Sequence, residues 1–198
     1  MFREHFPELE KVYSFVGVPS VSETDQDYLD NLFGAGLNRV IIGIESGDER
    51  TSRFLGKNES YSDKLAALRK LKAVGFKVKP IVQVGMVGEG FYTRQGDFVS
   101  SMEGLEKTAE LMGEFLSLSK LSNKPDKILV SKYMPIEGTP LKELHNGDKI
   151  VKPYSSDKGV EQDIQFFLGL LKRKHIDVYS CVEFDYESAL EGRSRNLA

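Results

Sequence analysis

The chain contains very little cysteine, since Cys181 is the only thiol among its 198 residues. A single thiol cannot form an internal disulfide, and alone it cannot supply a metal site. Because Cys181 lies in the apolar stretch 178–182, we expect a buried, inert side chain rather than a reactive one.

Long hydrophobic runs and a strong net charge are also missing. No apolar run approaches the roughly 20 residues that span a bilayer, and the polar residues 1–9 do not resemble a signal peptide. We therefore expect a cytoplasmic protein. The net charge of -3 and the pI near 5.7 give no electrostatic reason to expect a nucleic-acid or membrane partner.

Histidine is scarce, and its positions do not form a metal-binding or catalytic pattern. His5, His145 and His175 share no metal-ligand spacing, and no nucleophile elbow or Ser/His/Asp arrangement is present. The sequence alone therefore assigns no catalytic residue and no metal ligand.

What the chain does contain is an alternation of short apolar runs with segments of helical period. Such alternation predicts βαβ units, an α/β fold with a mostly parallel sheet, and a single domain over residues 1–198. Pro80 lies inside one predicted strand and counts against it. The predicted strands are 12–18, 39–45, 78–86, 128–134 and 176–184, and the predicted helices lie near 25–37, 60–74, 100–116 and 160–171.

Local signals fix some helix ends and loops. Ser22 with Asp25, and Ser100 with Glu103, have the spacing of capping boxes, and Gly75 is expected to end the helix before it. The polar stretches 91–97 and 145–158 are interpreted as loops, and the tail 187–198 is expected to fray.

In parallel α/β folds, ligands bind at the carboxyl ends of the strands. The segment Glu45-Ser46-Gly47 follows a strand and offers a carboxylate and a hydroxyl to a small ligand, although Ser46 or Asp48 could simply cap a turn. The glycine-rich stretch 85–90 allows close approach to the backbone but is equally compatible with a flexible loop. It is neither a dinucleotide fingerprint nor a P-loop.

Several segments occur in an order that resembles the radical S-adenosylmethionine (radical SAM) superfamily. The likeness is strongest to the branch with oxygen-independent coproporphyrinogen oxidases, methylthiotransferases and elongator-type enzymes. It covers about residues 9–141, with 142–186 as an added helix and strand. The segments are LFGAGLNRVIIGIESG (32–47), FLGK (54–57), LRKLKAVGF (68–76), the glycine loop at 85–90 and PIEGTPL (135–141).

The resemblance implies a fold and a set of roles. The fold would be a partial (β/α) TIM-like barrel containing about strands 3 to 6 of the family's (β/α)6 barrel. The family cleaves S-adenosylmethionine (SAM) reductively at a 4Fe-4S cluster to give a 5′-deoxyadenosyl radical. By position, Glu45 and Ser46 would line the methionine or ribose site of SAM, and Val84, Gly85 and the backbone after Tyr133 would flank the adenine.

The sequence departs from the family in the segment that matters most for chemistry. It has no CxxxCxxC segment, although three thiolates are the minimum for the cluster. The family's glycine-glycine-glutamate segment is absent too, and its fifth-strand pattern GxIxGxxE is matched only loosely. Such a half-barrel would leave a strand edge and an apolar lumen open, so we expect a partner: the missing N-terminal half or another chain covering that edge.

Three functions remain open at this point. The first is a fragment of a radical SAM enzyme that is inactive by itself. The second is a non-catalytic binding or scaffold protein with a degenerate SAM-like pocket. The third is an unrelated nucleotide-binding α/β protein, against which the absence of phosphate-binding motifs argues.

Overall fold

The computed structural model describes residues 12–118, 127–133, 141–142, 150–156 and 158–176, together with the backbone of 181–183 and 195–196. The strands are β1 (Tyr13–Gly17), β2 (Arg39–Glu45), β3 (Lys77–Val84), β4 (Gly90–Tyr92), β5 (Phe98–Ser100), β6 (Ile128–Lys132), β7 (Val151–Lys152), β8 (Cys181–Glu183) and β9 (Arg195–Asn196). The helices are α1 (Val18–Glu23), α2 (Gln26–Gly34), α3 (Glu49–Phe54), α4 (Tyr61–Val74), α5 (Ser101–Leu118) and α6 (Gly159–Arg173).

The main sheet has 6 strands in the order β1-β2-β3-β6-β8-β9. The pairs from β1 to β8 are all parallel, and β9 alone runs antiparallel to its neighbour. Helices connect successive parallel strands, which is the arrangement expected of right-handed βαβ units. The predicted α/β class with a mostly parallel sheet is therefore confirmed.

One face of the main sheet packs against the helices and forms the main core. Side chains of β2 such as Ile42 and Ile44 are fully buried there against Leu68 of α4 and Phe115 of α5. The alternate residues of the strands lie on the opposite face, which we call the inner face. Among its residues are Ile41, Gly43, Glu45, Ile81, Gln83, Leu129 and Ser131.

The inner face changes character along the strands. In its middle, Ile41, Ile81 and Leu129 pack together as a small apolar cluster. At the carboxyl ends of the strands, Glu45 and Gln83 replace these apolar side chains with polar ones. The polar end of the inner face is therefore where a ligand can find hydrogen-bonding partners.

A second sheet of 3 strands, in the order β5-β4-β7, was not expected from the sequence. It occupies parts of the stretches 91–97 and 145–158, which were interpreted wholly as loops, and that interpretation is wrong for these residues. Its strands are only two or three residues long, too short to show period-2 alternation. Phe91, Val99 and Val151 form its core with Met86 and Val87.

The predicted helix ends were partly right. Ser60 caps α4 with a reciprocal capping box, and Gly75 ends it with a left-handed φ of 102°. The proposed capping box at Ser22 is wrong, because Ser22 lies inside α1 and its hydroxyl donates to the carbonyl of Val18. Ser100 does accept from the backbone N–H of Glu103 at 3.2 Å.

Two further expectations concern strands and the tail. Pro80 is accommodated within β3, in register with Ile42, although its ring was taken as unfavourable there. Within the tail 187–198, which was expected to fray, Arg195–Asn196 pair with β8, so the expectation is wrong for these two residues. Pairing uses backbone groups, which polar side chains do not prevent. The rest of that tail, residue 134, and the side chain of Cys181 lie outside the described part.

Candidate functional site

The end of β2 departs from regular strand geometry at Glu45. Glu45 has a positive φ of 60°, and the N–H of Ser46 donates to the carbonyl of Ile44 at 2.7 Å. This three-residue γ-turn is uncommon for a residue with a side chain, and it coincides with a register shift against β3. The turn interrupts the strand at the residue whose carboxylate the sequence singled out.

The Glu45 carboxylate lies on the inner face beside a lysine. Its Oε1 accepts from Nζ of Lys57 at 3.2 Å, and the side chains are 18% and 36% exposed respectively. A Cβ at Gly43 would lie 2.9 Å from Oε1, so glycine leaves the carboxylate its room. The second oxygen, Oε2, is buried and has no hydrogen-bond partner within the part of the chain that the structure describes.

Ser46 and the residues after it are fixed by their neighbours in the protein. Ser46 is 5% exposed, and its Oγ accepts from the N–H of Asp48 at 3.1 Å. Asp48 in turn caps α3, where its carboxylate accepts from the N–H of Thr51 at 2.9 Å. These contacts are the capping arrangement that the sequence left open as an alternative. The Ser46 hydroxyl is therefore hydrogen-bonded within the protein, and its predicted contact with a ligand stays a prediction.

Helix α5 packs directly on the loop after β2. The N–H of Gly47 donates to Oγ1 of Thr108 at 2.7 Å, and Thr108 donates to the carbonyl of Gly104 at 2.6 Å. A Cβ at Gly47 would lie 2.6 Å from the carbonyl oxygen of Lys107, so only glycine allows this approach. The loop that carries Glu45 is therefore held against the backbone of α5.

The loop after β3 brings the other predicted residues close by. Val84 has its side chain in the main core, 1% exposed, and its carbonyl accepts from the N–H of Tyr133 at 2.7 Å. Gly85 has a φ of 96°, and a Cβ there would lie 2.8 Å from Cγ2 of Val160. Both the backbone conformation and the close contact with Val160 therefore require glycine. Val84 can therefore present only its backbone to a ligand.

A small cavity of about 30 Å³ lies between these parts. Glu45, Ser46, Val84 and Gly85 all line it, whereas Tyr133 does not. The structure thus brings the predicted residues of two neighbouring strands together, and it places Tyr133 next to them through its backbone contact with Val84.

Asp163 of α6 is a further polar residue of this cavity that sequence reasoning missed. It is buried, and the hydroxyl of Tyr154 donates to its Oδ2 at 2.8 Å. Burial raises the pKa of the Asp163 carboxyl above its ordinary value, and hydrogen bonds from Tyr154 and Ser101 oppose that rise. In the sequence it is one acidic residue of an amphipathic helix, so no local signal marked it.

Lys57 and Gln83 were also missed as site residues. Lys57 lay within one of the segments that carried the resemblance, but its pairing with Glu45 depends on the turn at Gly56, which has a φ of 74°. Gln83 lines the cavity from β3. Within the described part of the chain, no group of three or more histidine, cysteine or acidic side chains could hold a metal ion.

Comparison with known proteins identifies relatives of this arrangement. A family model described as the radical SAM superfamily matches residues 3–95. No curated protein sequence gives a significant match. In the described part of the chain, no helix has the length and apolar character needed to cross a membrane.

Solved structures show the same fold at low sequence identity. Coproporphyrinogen III oxidase (HemN) from Escherichia coli, a radical SAM enzyme, aligns with a TM-score of 0.59 and 16% identity over 83% of this chain and 32% of its own. Elp3 from the archaeon Methanocaldococcus infernus gives 0.55 and 21% over 79% and 32%. Methylornithine synthase (PylB) gives 0.51 and 21% over 83% and 39%. The chain thus spans about a third of the length of these structures.

Proposed function

We propose that this chain, whose residues 3–95 match a model of the radical SAM superfamily, is a fragment of a radical SAM enzyme that binds SAM but is inactive alone. The binding site would lie at the polar end of the inner face, where β2, β3 and β6 end. The observation that carries the proposal is the buried Oε2 of Glu45, which lacks a hydrogen-bond partner within the described residues and lies beside the ammonium of Lys57.

The residues at this end of the sheet fit the amino-acid portion of SAM. That portion carries an ammonium and a carboxylate, which are complementary to Glu45 and Lys57. A free oxygen on Glu45 can accept a hydrogen bond from the ligand without breaking one inside the protein, which avoids the usual cost of an unsatisfied buried acceptor. Lys57, which is 36% exposed, can reorient toward a carboxylate because its ammonium contacts Glu45 at the partly exposed rim of the site.

The remaining rim residues suit the nucleoside portion. We propose that the backbone of Val84 and Gly85 and the residue Tyr133 flank the adenine, as the family resemblance implies, and that Gln83 offers an amide to the ribose. Gly85 would take part through its backbone alone, because Val160 already fills the space that a side chain at this position would occupy. Ser46 would contribute by packing beside the ligand, since its N–H, its carbonyl and its hydroxyl all make hydrogen bonds inside the protein.

The residues of this chain do not fit a 4Fe-4S cluster. The cluster requires at least three thiolates, and the sequence contains one cysteine. In the family, SAM and the cluster together supply a 5′-deoxyadenosyl radical, and no step of that chemistry can be assigned to side chains of this chain. Its proposed share is to bind and orient the cofactor.

We further propose a partner that completes the inner face. Phe15 and Tyr13 of β1 are 66% and 41% exposed on the edge of the sheet, and β1 pairs only with β2 among the described residues. An exposed strand edge with aromatic side chains favours pairing with another segment. The partner would be an N-terminal barrel half carrying CxxxCxxC, or another chain that covers this edge.

Isothermal titration calorimetry tests the binding site. SAM and S-adenosylhomocysteine are titrated separately into the protein and into Glu45→Gln, with Glu106→Gln as a control that alters an exposed carboxylate on α5. We expect Glu45→Gln to weaken binding about tenfold or more, a loss of about 1.4 kcal/mol, and Glu106→Gln to leave it unchanged. Equal affinities for all three proteins would show that Glu45 is not part of the site.

A second experiment separates the fragment from the non-catalytic alternative. Anaerobic incubation with iron and sulfide should give no stable cluster on the chain alone, and adding a CxxxCxxC-bearing barrel half should restore SAM cleavage. If SAM binds but no such partner restores cleavage, the protein is better explained as a binding or scaffold protein with a degenerate SAM-like pocket. A stable cluster and SAM cleavage by the chain alone would contradict the proposed inactivity.

The cytoplasm is the compartment we propose for this function. A reducing compartment suits a protein that depends on a partner with free thiols for cluster binding. Fractionation of cells that express a tagged chain would test this, and recovery in the secreted fraction would contradict it.

A further inference from the structure

A lysine is buried directly beneath the Glu45 turn. Lys64 of α4 is 1% exposed, and its Nζ donates to the carbonyl of Ser46 at 2.6 Å and to Oγ of Ser52 at 2.5 Å. Burying an ammonium is costly unless it is well hydrogen-bonded, and both of these acceptors are uncharged. An apolar side chain of similar length would fill the same space without that cost, so packing alone does not explain a lysine here.

The charged groups around Lys64 partly offset this cost. Burial lowers the pKa of the Lys64 ammonium, whereas the carboxylates of Glu59, Asp48 and Glu45 favour its charged form and Lys57 opposes it. A cation at this point therefore lies near carboxylates of the loops before α3 and before α4, and it donates directly to the carbonyl of Ser46 and to Ser52 of α3.

The carbonyl that Lys64 binds belongs to the peptide immediately after the γ-turn. A positive φ at a residue such as Glu45 persists only where the surrounding structure fixes it. The N–H of Ser46 closes the turn on Ile44, and its carbonyl is held by Lys64 on the other side. Both polar ends of Ser46 are thus fixed, and the Glu45 side chain is left on the inner face.

We propose that Lys64 is a positioning residue, which holds the Ser46 carbonyl so that the Glu45 carboxylate faces the inner surface and is ready to bind the ammonium of a ligand. This inference rests on the proposed function for its ligand. The effect on the turn can also be measured without any ligand, so the two can fail separately.

The test compares Lys64→Met, Lys64→Gln and a control, Lys77→Met, which alters an exposed lysine at the start of β3. Hydrogen exchange of the amides of residues 46–48 reports on the turn, and calorimetry with S-adenosylhomocysteine reports on binding. We expect Lys64→Met to speed exchange at 46–48 and to weaken binding about tenfold, while the amides of β3 keep their protection. Lys64→Gln should recover part of both, because its amide can still donate to the Ser46 carbonyl.

Unchanged exchange and unchanged affinity in Lys64→Met would overturn the proposal. Loss of protection throughout the chain in both Lys64 variants would also overturn it, because Lys64 would then be a general stability residue. If the unaltered protein does not bind S-adenosylhomocysteine, the proposed function fails, and the exchange data still decide whether Lys64 holds the turn. If Lys64→Met does not fold, nuclear magnetic resonance of the unaltered protein decides: the Ser46 and Gly47 amide shifts must titrate together with the Lys64 side chain.

Discussion

Substitution of Gly47 by alanine tests whether close packing of α5 holds the loop after β2. The added Cβ would lie 2.6 Å from the Lys107 carbonyl oxygen and 2.7 Å from Cα of Thr108, both backbone atoms of a long helix. Overpacking of this kind costs about 1–3 kcal/mol, and displacement of the loop would also lose the hydrogen bond to Thr108, worth about 1 kcal/mol. The expected destabilisation is therefore about 2–4 kcal/mol.

Urea unfolding at neutral pH measures this loss, and thermal unfolding provides a check. For a chain of this size, the melting temperature should fall by about 4–16 °C. Gly34→Ala is a matched control, because a Cβ there has no atom within 4 Å and Gly34 is the last residue of α2. The control should be neutral or stabilised by up to about 1 kcal/mol. If Gly47→Ala is as stable as Gly34→Ala, the loop is not held against α5 as described.

Three further predictions concern buried polar groups near the cavity. Burial lowers the pKa of Lys64 in the folded protein, so between this lowered pKa and the ordinary pKa the unfolded chain binds more protons, and the free energy of unfolding rises with pH. Urea midpoints between pH 7 and 10 should therefore show that the unaltered protein gains stability relative to Lys64→Met as the pH rises. A difference that stays constant with pH would contradict this. Burial raises the pKa of the Asp163 carboxyl in the folded protein, so the free energy of unfolding falls as the pH rises from the ordinary pKa of about 4 through the raised pKa. Asp163→Asn should flatten the plot of urea midpoint against pH over this range. An unchanged slope would count against a buried carboxyl with a raised pKa. Thr108→Val removes the acceptor for the Gly47 N–H and should cost about 1–3 kcal/mol in chemical unfolding, whereas a cost near zero would mean that the N–H finds another partner.

Much of the main sheet could be predicted from the sequence, because its strands carry strong and continuous apolar signals. Strand β2 was predicted with its observed bounds, and α4 was predicted over 60–74 with Gly75 at its end. In both cases a run of buried apolar residues is bounded by residues with clear conformational preferences. The second sheet was missed since its pairing depends on strands far apart in sequence, such as β4 with β7.

The sequence placed several cavity-lining residues at the strand ends but did not show their contacts. Glu45, Val84 and Gly85 could be predicted to lie together because each follows or ends a parallel strand, and the carboxyl ends of parallel strands meet at one edge of the sheet. The γ-turn at Glu45 and the buried contacts of Lys64 could not, since Lys64 reads as an ordinary polar position of a helix. Lys64 is buried because α3 and the loop after β2 pack over its side chain, and this packing exists only in the folded chain.

The backbone conformation of Glu45 lowers the stability of the fold, whereas its carboxylate serves the proposed ligand recognition. A positive φ destabilises a residue with a Cβ by about 1–2 kcal/mol relative to glycine. The partly exposed ion pair between Glu45 and Lys57 stabilises the fold by only about 0–1 kcal/mol. Variants selected only for resistance to heat should therefore accumulate glycine at position 45. Variants selected for retention on an immobilised adenosyl ligand should keep glutamate there, and the residue recovered from each selection would show which pressure shaped this turn.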